Sequence, residues 1–298
     1  MANGSLQKIK VFKSSLNSLT ERPTIFTGNT SIETFEADMP ILTSTYDMFA
    51  GCSSLGTYKG NLNAVTDTNN MFYGTSLATF EGNLSSLTNG NNMFSGCSKL
   101  GEFTCQDLSK LIDGSYMFSN CVTLEEFDSS DLPLLENGSY MFNNCTKLTF
   151  RGTGLPDMVS LENAEGMFYA SGISGFSAPE STEYTMPSLT NCVRMFYGCP
   201  HFWTLDGIFS EVTDATEMCC GCVELENVFA DFPKLTKERS YHMFSNCPLM
   251  ESFNGDLSSM VDINDAFDLK TPIKYFTSNL ASLTTKPLIF MGSSIGQF

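Results

Sequence analysis

Met93-Phe94-Ser95-Gly96-Cys97 is the clearest copy of a stretch that recurs along the whole chain. Met48-Phe49-Ala50-Gly51-Cys52 and Met141-Phe142-Asn143-Asn144-Cys145 repeat it closely. Met117-Phe118 to Cys121, Met195-Phe196 to Cys199 and Met243-Phe244 to Cys247 carry the same pair and the same cysteine. Met71-Phe72 and Met167-Phe168 keep the pair but place Thr75 and Ser171 where the cysteine would stand, and Met218-Cys219 keeps Met and Cys222 but loses the Phe. Weaker copies lie at Ile25-Phe26, Ala266-Phe267 and Ile289-Phe290. Counted from positions 25, 48, 71, 93, 117, 141, 167, 195, 218, 243, 266 and 289, the anchors are 22–28 residues apart. A steady period of this length marks a solenoid of stacked repeats, none of which can bury its apolar face alone. The expectation is a single repeat solenoid over 1–298, α/β or mainly β, of about twelve repeats with a parallel strand ladder. A partial repeat caps it at 1–24 and atypical repeats cap it at 266–298.

Each repeat reads in three parts. The Met-Phe anchor sits in a short turn or helical piece, because the flanking Asn and Gly break longer helix. Leu-x-x-Phe follows, as in Leu77 to Phe80 and Leu100 to Phe103, and reads as a short strand. A return segment then carries Leu-x-x-Leu, as in Leu84 to Leu87. Just before its first Leu stands Asn61, Asn83, Asp107, Asp131, Asp256 or Asn279, whose stacked side chains can satisfy backbone groups at the corner. The period stretches in the middle, with extra residues around Arg151-Gly152-Thr153-Gly154 and Ser177 to Thr182, which read as surface loops or as part of a binding face. The two ends share Leu-Thr-x-x-Pro-x-Ile-Phe, at Leu19 to Phe26 and Leu283 to Phe290. Open strand edges there invite docking on a partner or on a second copy.

Composition narrows the function. Hydrophobic residues are 42% of 298, enough for a long core, while charged residues are only 16%. The net charge is −17, and the 16 Lys and Arg are scattered, which argues against nucleic acid and against an anionic membrane surface. No apolar run is long enough for a membrane-spanning helix. The start, Met1 to Lys10, has no apolar run after a basic region, so no signal peptide is expected. Cytoplasmic synthesis follows, with virion association or release by lysis as routes outward and the cell surface the weaker candidate.

Eleven cysteines would suggest disulfides in a secreted protein. Their placement argues otherwise, because Cys52, Cys97, Cys121, Cys145, Cys199, Cys222 and Cys247 share one repeat position. Stacking aligns them in a buried ladder of small apolar fillers. Cys219-Cys220-Gly221-Cys222 is the one dense cluster. With only His201 and His242 in the chain, and those in different repeats, neither a metal site nor a cofactor is expected.

Asn91-Asn92-Met93-Phe94-Ser95-Gly96-Cys97-Ser98-Lys99-Leu100 resembles the BspA-like, or Treponema-type, leucine-rich repeats of bacterial surface proteins and some protist parasites, and Tyr140 to Leu148 is equally close. The resemblance covers nearly the whole chain. It implies a right-handed leucine-rich-repeat solenoid and a recognition or adhesion role without catalysis. Such repeats without an export signal also occur in phages of gut bacteria, where lysis releases the virion.

No nucleophile elbow, phosphate loop, dinucleotide fingerprint or helical zinc motif is present. The chain is expected to be no enzyme. The better candidate is the outward face of the strand ladder, where the x residues of Leu-x-x-Phe-x point away from the core. Its binding candidates are Glu102, Glu125, Glu126 and Asp128 on an acidic N-terminal half, and Trp203, Asp206, Glu226, Phe229 and Tyr275 on a C-terminal half that adds aromatic rings. His201-Phe202-Trp203 departs from the consensus, and a one-residue slip there would turn Trp203 inward. Two functions remain: recognition of a protein or glycan on a bacterial or phage surface, or a structural virion component whose ends dock on neighbours.

Overall fold

The computed structural model describes residues 8–21, 26–104, 107–128, 131–150, 156–176, 186–267, 271–285 and 287–288. The loops at Arg151 to Gly154 and Ser177 to Thr182, and the weak anchors at Ile25 and Ile289, lie outside them. The chain divides into two compact units, residues 1–152 with 156–158, and residues 153–155 with 159–298.

In the first unit, β1 (Val11–Lys13), β2 (Thr34–Glu36), β3 (Thr57–Asn61) and β4 (Thr79–Asn83) form one parallel sheet in chain order, and β5 (Glu102–Thr104) pairs with β6 (Glu126–Asp128). In the second, β7 (Gly175–Phe176), β8 (Thr204–Ile208), β9 (Asn227–Asp231), β10 (Ser252–Asp256) and β11 (Tyr275–Asn279) form a five-stranded parallel sheet, again in chain order. Register joins equivalent residues of successive repeats: Phe35 faces Tyr58, and Tyr58 faces Phe80. This is a parallel-strand leucine-rich-repeat solenoid, mainly β. Among the described residues, helix is confined to isolated 3-10 turns such as Lys237–Arg239.

The anchor is a turn, and the expected helical alternative does not form. Two residues in each anchor are left-handed. Asn92 has φ 54° and Gly96 φ 76°; in the next repeat Tyr116 has 56° and Asn120 61°. An α-helix of L-residues cannot pass through two such positions four residues apart, whereas Gly and Asn accept them at low cost. The amides then alternate in direction. Met93 and Ser95 donate back three residues, to the carbonyls of Gly90 and Asn92. Asn92, Phe94 and Gly96 donate onward to Ser115, Met117 and Ser119 of the next repeat. Within each unit the successive described turns are thereby tied to one another through the backbone.

Inside, the strand Phe and the anchor Phe form two interleaved rows. In the first unit the strand rings Phe12, Phe35, Tyr58, Phe80, Phe103 and Phe127 and the anchor rings Phe26, Phe49, Phe72, Phe94, Phe118 and Phe142 make an unbroken double ladder. Phe94 stacks on Phe72 and Phe118 with centroids 5.5 and 5.3 Å away, and meets Phe80 and Phe103 edge-on at 5.0 and 5.4 Å. Each such pair adds about 0.5–1.5 kcal/mol beyond the area it buries.

The polar corner residues do what their position suggests. Asn61, Asn83, Asp107, Asp256 and Asn279 each accept the amide two residues on, at 2.8–3.2 Å. Asp131 instead takes the amide of Asp157 at 3.2 Å. A second corner was not foreseen. Asp67, Asn89, Asp113 and Asn137 in the first unit, and Asn163, Asn191 and Asp214 in the second, also accept the amide two residues on, just before each anchor, at 2.9–3.1 Å.

Candidate functional site

The cysteine column lies against the inner side of the anchors. All seven predicted members are buried, and all ten described cysteines are free. They do more than fill space. Each thiol donates to a main-chain carbonyl of the preceding repeat: Cys52 to Phe26 at 2.8 Å, Cys97 to Phe72 at 3.3 Å, Cys121 to Phe94 at 3.2 Å and Cys145 to Phe118 at 3.1 Å. In the second unit Cys199 donates to Phe168 at 2.9 Å, Cys222 to Phe196 at 3.0 Å and Cys247 to Cys219 at 3.2 Å. Where the cysteine is replaced, a hydroxyl continues the column, with Thr75 Oγ1 3.3 Å from Cys97 Sγ and Ser171 Oγ 3.7 Å from Cys199 Sγ. Burial pushes the Cys52 thiol up to about 11 and the Cys97 thiol up to about 12, and it raises Cys121, Cys145, Cys199, Cys222 and Cys247 as well. The thiolate that nucleophilic chemistry or metal binding requires is therefore disfavoured. Cys219 takes the place of an anchor Phe and is buried, as are Cys220 and Cys222. Among the described residues no group of three or more His, Cys, Asp or Glu is placed to hold a metal ion.

The outward strand face differs between the units. On the first, charges pair along the stack: Lys10 with Glu33 at 2.8 Å, Lys13 with Glu36 at 2.7 Å and Lys59 with Glu81 at 2.7 Å. Of the acidic candidates, Glu125 is held by Lys147 at 2.9 Å, Glu126 is half-buried, and Glu102 and Asp128 stand exposed. On this half Glu33, Glu36, Glu81 and Glu125 each pair with a lysine one repeat away, because register sets opposite charges side by side.

On the second unit the aromatic candidates face outward. Trp203 is 50%, Phe229 45% and Tyr275 70% exposed. The slip that would have turned Trp203 inward does not occur, since Phe202 and Leu205 fill the core on either side of it. The amide of Trp203 donates to Ser174, and its carbonyl receives the amide of Glu226, which places it in the column just before the strands. A Cβ on Gly175 would lie 3.6 Å from the indole Nε1. The ring therefore rests over β7 at a position that carries no side chain. Thr204, an outward position by register, is only 6% exposed. Asp206 and Phe229 face each other across β8 and β9. Lys274, next to Tyr275, pairs with Glu251 at 2.5 Å.

One feature escaped the sequence reading. Tyrosines adjoining the Met-Phe pair stack along the turn edge, Tyr116 on Tyr140 at 5.0 Å in the first unit and Tyr169 on Tyr197 at 4.8 Å in the second. Their signal in the sequence is a Tyr directly before Met or directly after Phe.

Among solved structures, a leucine-rich repeat protein from Eubacterium ventriosum is 16% identical, with 92% of this chain and 83% of that chain covered and a TM-score of 0.48. A leucine rich cell surface protein from Faecalibacterium prausnitzii is 15% identical, over 92% of this chain and 87% of that one, with a TM-score of 0.32. The functional domain of InlJ from Listeria monocytogenes, which includes a cysteine ladder, is 12% identical over 94% of this chain and 65% of that one, with a TM-score of 0.28. No curated protein matches the chain. The BspA type leucine rich repeat region matches in six copies, over residues 2–100 and 68–192. That match spans more than half of the sequence, and the chain belongs to the BspA type leucine rich repeat family.

Proposed function

We propose that this chain is a non-enzymatic recognition protein, presenting its outward strand face to a glycan or protein target on a bacterial or phage surface. The observation that carries the reading is the trio Trp203, Phe229 and Tyr275, held outward on a sheet whose inner columns are sealed. Large aromatic side chains exposed on a rigid face are the usual anchors of a contact. Membership of a repeat family built to display surface supports it. The location proposed is association with a virion, or release by lysis, after cytoplasmic synthesis. The test is a glycan and peptide array probed with the parent protein, Trp203→Ala and Phe229→Ala. The expected result is a target whose binding falls at least tenfold in both variants while their circular dichroism is unchanged. A target bound equally by all three proteins would contradict the reading.

A second reading, a structural virion or assembly component, rests on the strand edges. Among the described residues β1 pairs with β2 alone and β11 with β10 alone, and Val11 is exposed. An unpaired parallel edge is a template for another chain. Sedimentation decides it: assembly that disappears on deletion of residues 1–24 or 288–298 and survives Trp203→Ala would favour this reading over recognition.

A further inference from the structure

We infer that the strand face of the second unit docks a basic, extended protein segment, with an arginine or lysine side chain of the partner lying on Trp203. The inference rests on the recognition reading and names the chemistry of its target. Four side chains carry it. Trp203 and Glu226 are neighbours across β8 and β9 in the column before the strands, and Asp206 and Phe229 are register partners three residues further on. With strands about 4.8 Å apart and about 3.3 Å per residue, they mark a rectangle of about 5 by 10 Å. The two aromatic rings occupy one diagonal and the two carboxylates the other.

Charge selects the occupant. Among the described residues of the strand columns of this unit, Lys274 is the one cation, and it is already paired with Glu251. No Lys or Arg of the described residues pairs with Asp206 or Glu226. The first unit is the internal control: there Glu33, Glu36, Glu81 and Glu125 each have a lysine, and no aromatic ring is exposed among the described residues of its strand columns. A face with uncompensated carboxylates beside exposed rings suits a cation that can lie on an indole and reach a carboxylate at once. A neutral glycan would leave both carboxylates without a counter-charge. A chain of net charge −17 also draws a basic partner from a distance.

The test uses the full chain and its only tryptophan, so that emission reports this site alone. The probes are a seven-residue peptide of alternating glycine and arginine, and cellohexaose as a neutral glycan. The peptide is expected to change Trp203 emission saturably. Asp206→Asn with Glu226→Gln should weaken binding at least tenfold, and Phe229→Ala, which alters no charge, at least fivefold. Glu21→Gln with Glu136→Gln, the same change of charge at exposed positions of the first unit outside the strand columns, should alter it less than twofold. Equal weakening by the two double variants, or no response to the peptide, would overturn the inference. A response to cellohexaose but not to the peptide would leave recognition standing and remove the basic partner.

Discussion

The first unit builds its inside and its outside by strict repetition, and the second relaxes both. In the first, twelve rings run unbroken along two inner rows, and one outward position of β1 to β4 alternates lysine with glutamate. In the second, Cys219 interrupts the anchor row and Leu205 and Val228 interrupt the strand row, while extra rings fill in: Phe202 against Phe196 at 4.5 Å and Phe209 against Phe232 at 4.9 Å. The same unit carries the outward Trp203, Phe229 and Tyr275. The backbone turn is identical in both, left-handed before Met and left-handed again two residues after Phe. The difference shows that the turn and the cysteine column define the repeat, and that the phenylalanine rows and the strand face can vary around them.

That contrast can be broken at its strongest point first. Phe94→Ala removes a ring with four aromatic partners and should cost about 3–5 kcal/mol in chemical denaturation. Val228→Ala, where the ladder is already interrupted, should cost about 1.5–3 kcal/mol. The cysteine column comes next. Cys121→Val keeps the volume apolar but removes the thiol's bond to the Phe94 carbonyl, leaving it the Cys97 amide alone, at a cost of about 0.5–1.5 kcal/mol, while Cys121→Ser keeps a donor and should cost less, as Thr75 and Ser171 already place hydroxyls in the column. Tyr58→Phe should raise the melting temperature, by about 1 kcal/mol of stability, because the Tyr58 hydroxyl is buried without a hydrogen-bond partner in a row otherwise made of Phe. Smallest is Lys59→Met. The pair with Glu81 is about half exposed on both sides, so its loss should shift stability by less than about 1 kcal/mol and vanish in high salt.

Much of this was legible because the repeat is a counting signal. The period placed the strands, and the shared position of the cysteines placed them in one buried column. The corner role of Asn61 and Asn83 followed from position alone. Three things were not legible. A single copy of Met-Phe-Ser-Gly-Cys fits a helical turn as well as an open one, and only φ at Asn92 and Gly96 separates them. The thiol bonds cross between repeats and depend on a carbonyl that no side chain advertises. The lysine–glutamate pairing on the first unit is set by register, since Lys59 and Glu81 are 22 residues apart in sequence and neighbours in the sheet. Trp203 was placed outward by pattern, but its resting place over Gly175 needs the coordinates of both strands.

The central claim is a partition: the repeated anchor is packing, and recognition belongs to what faces out. Hydroxyl-radical footprinting with mass spectrometry tests it in one measurement on the native chain. Sulfur is the most readily oxidised atom in a side chain, so an exposed Met or Cys would label first. The account predicts that Met93, Met117, Met141 and Met195 and the cysteine column stay unmodified while Trp203, Phe229 and Tyr275 are labelled. Oxidation of the anchor methionines as fast as of Trp203 would contradict it.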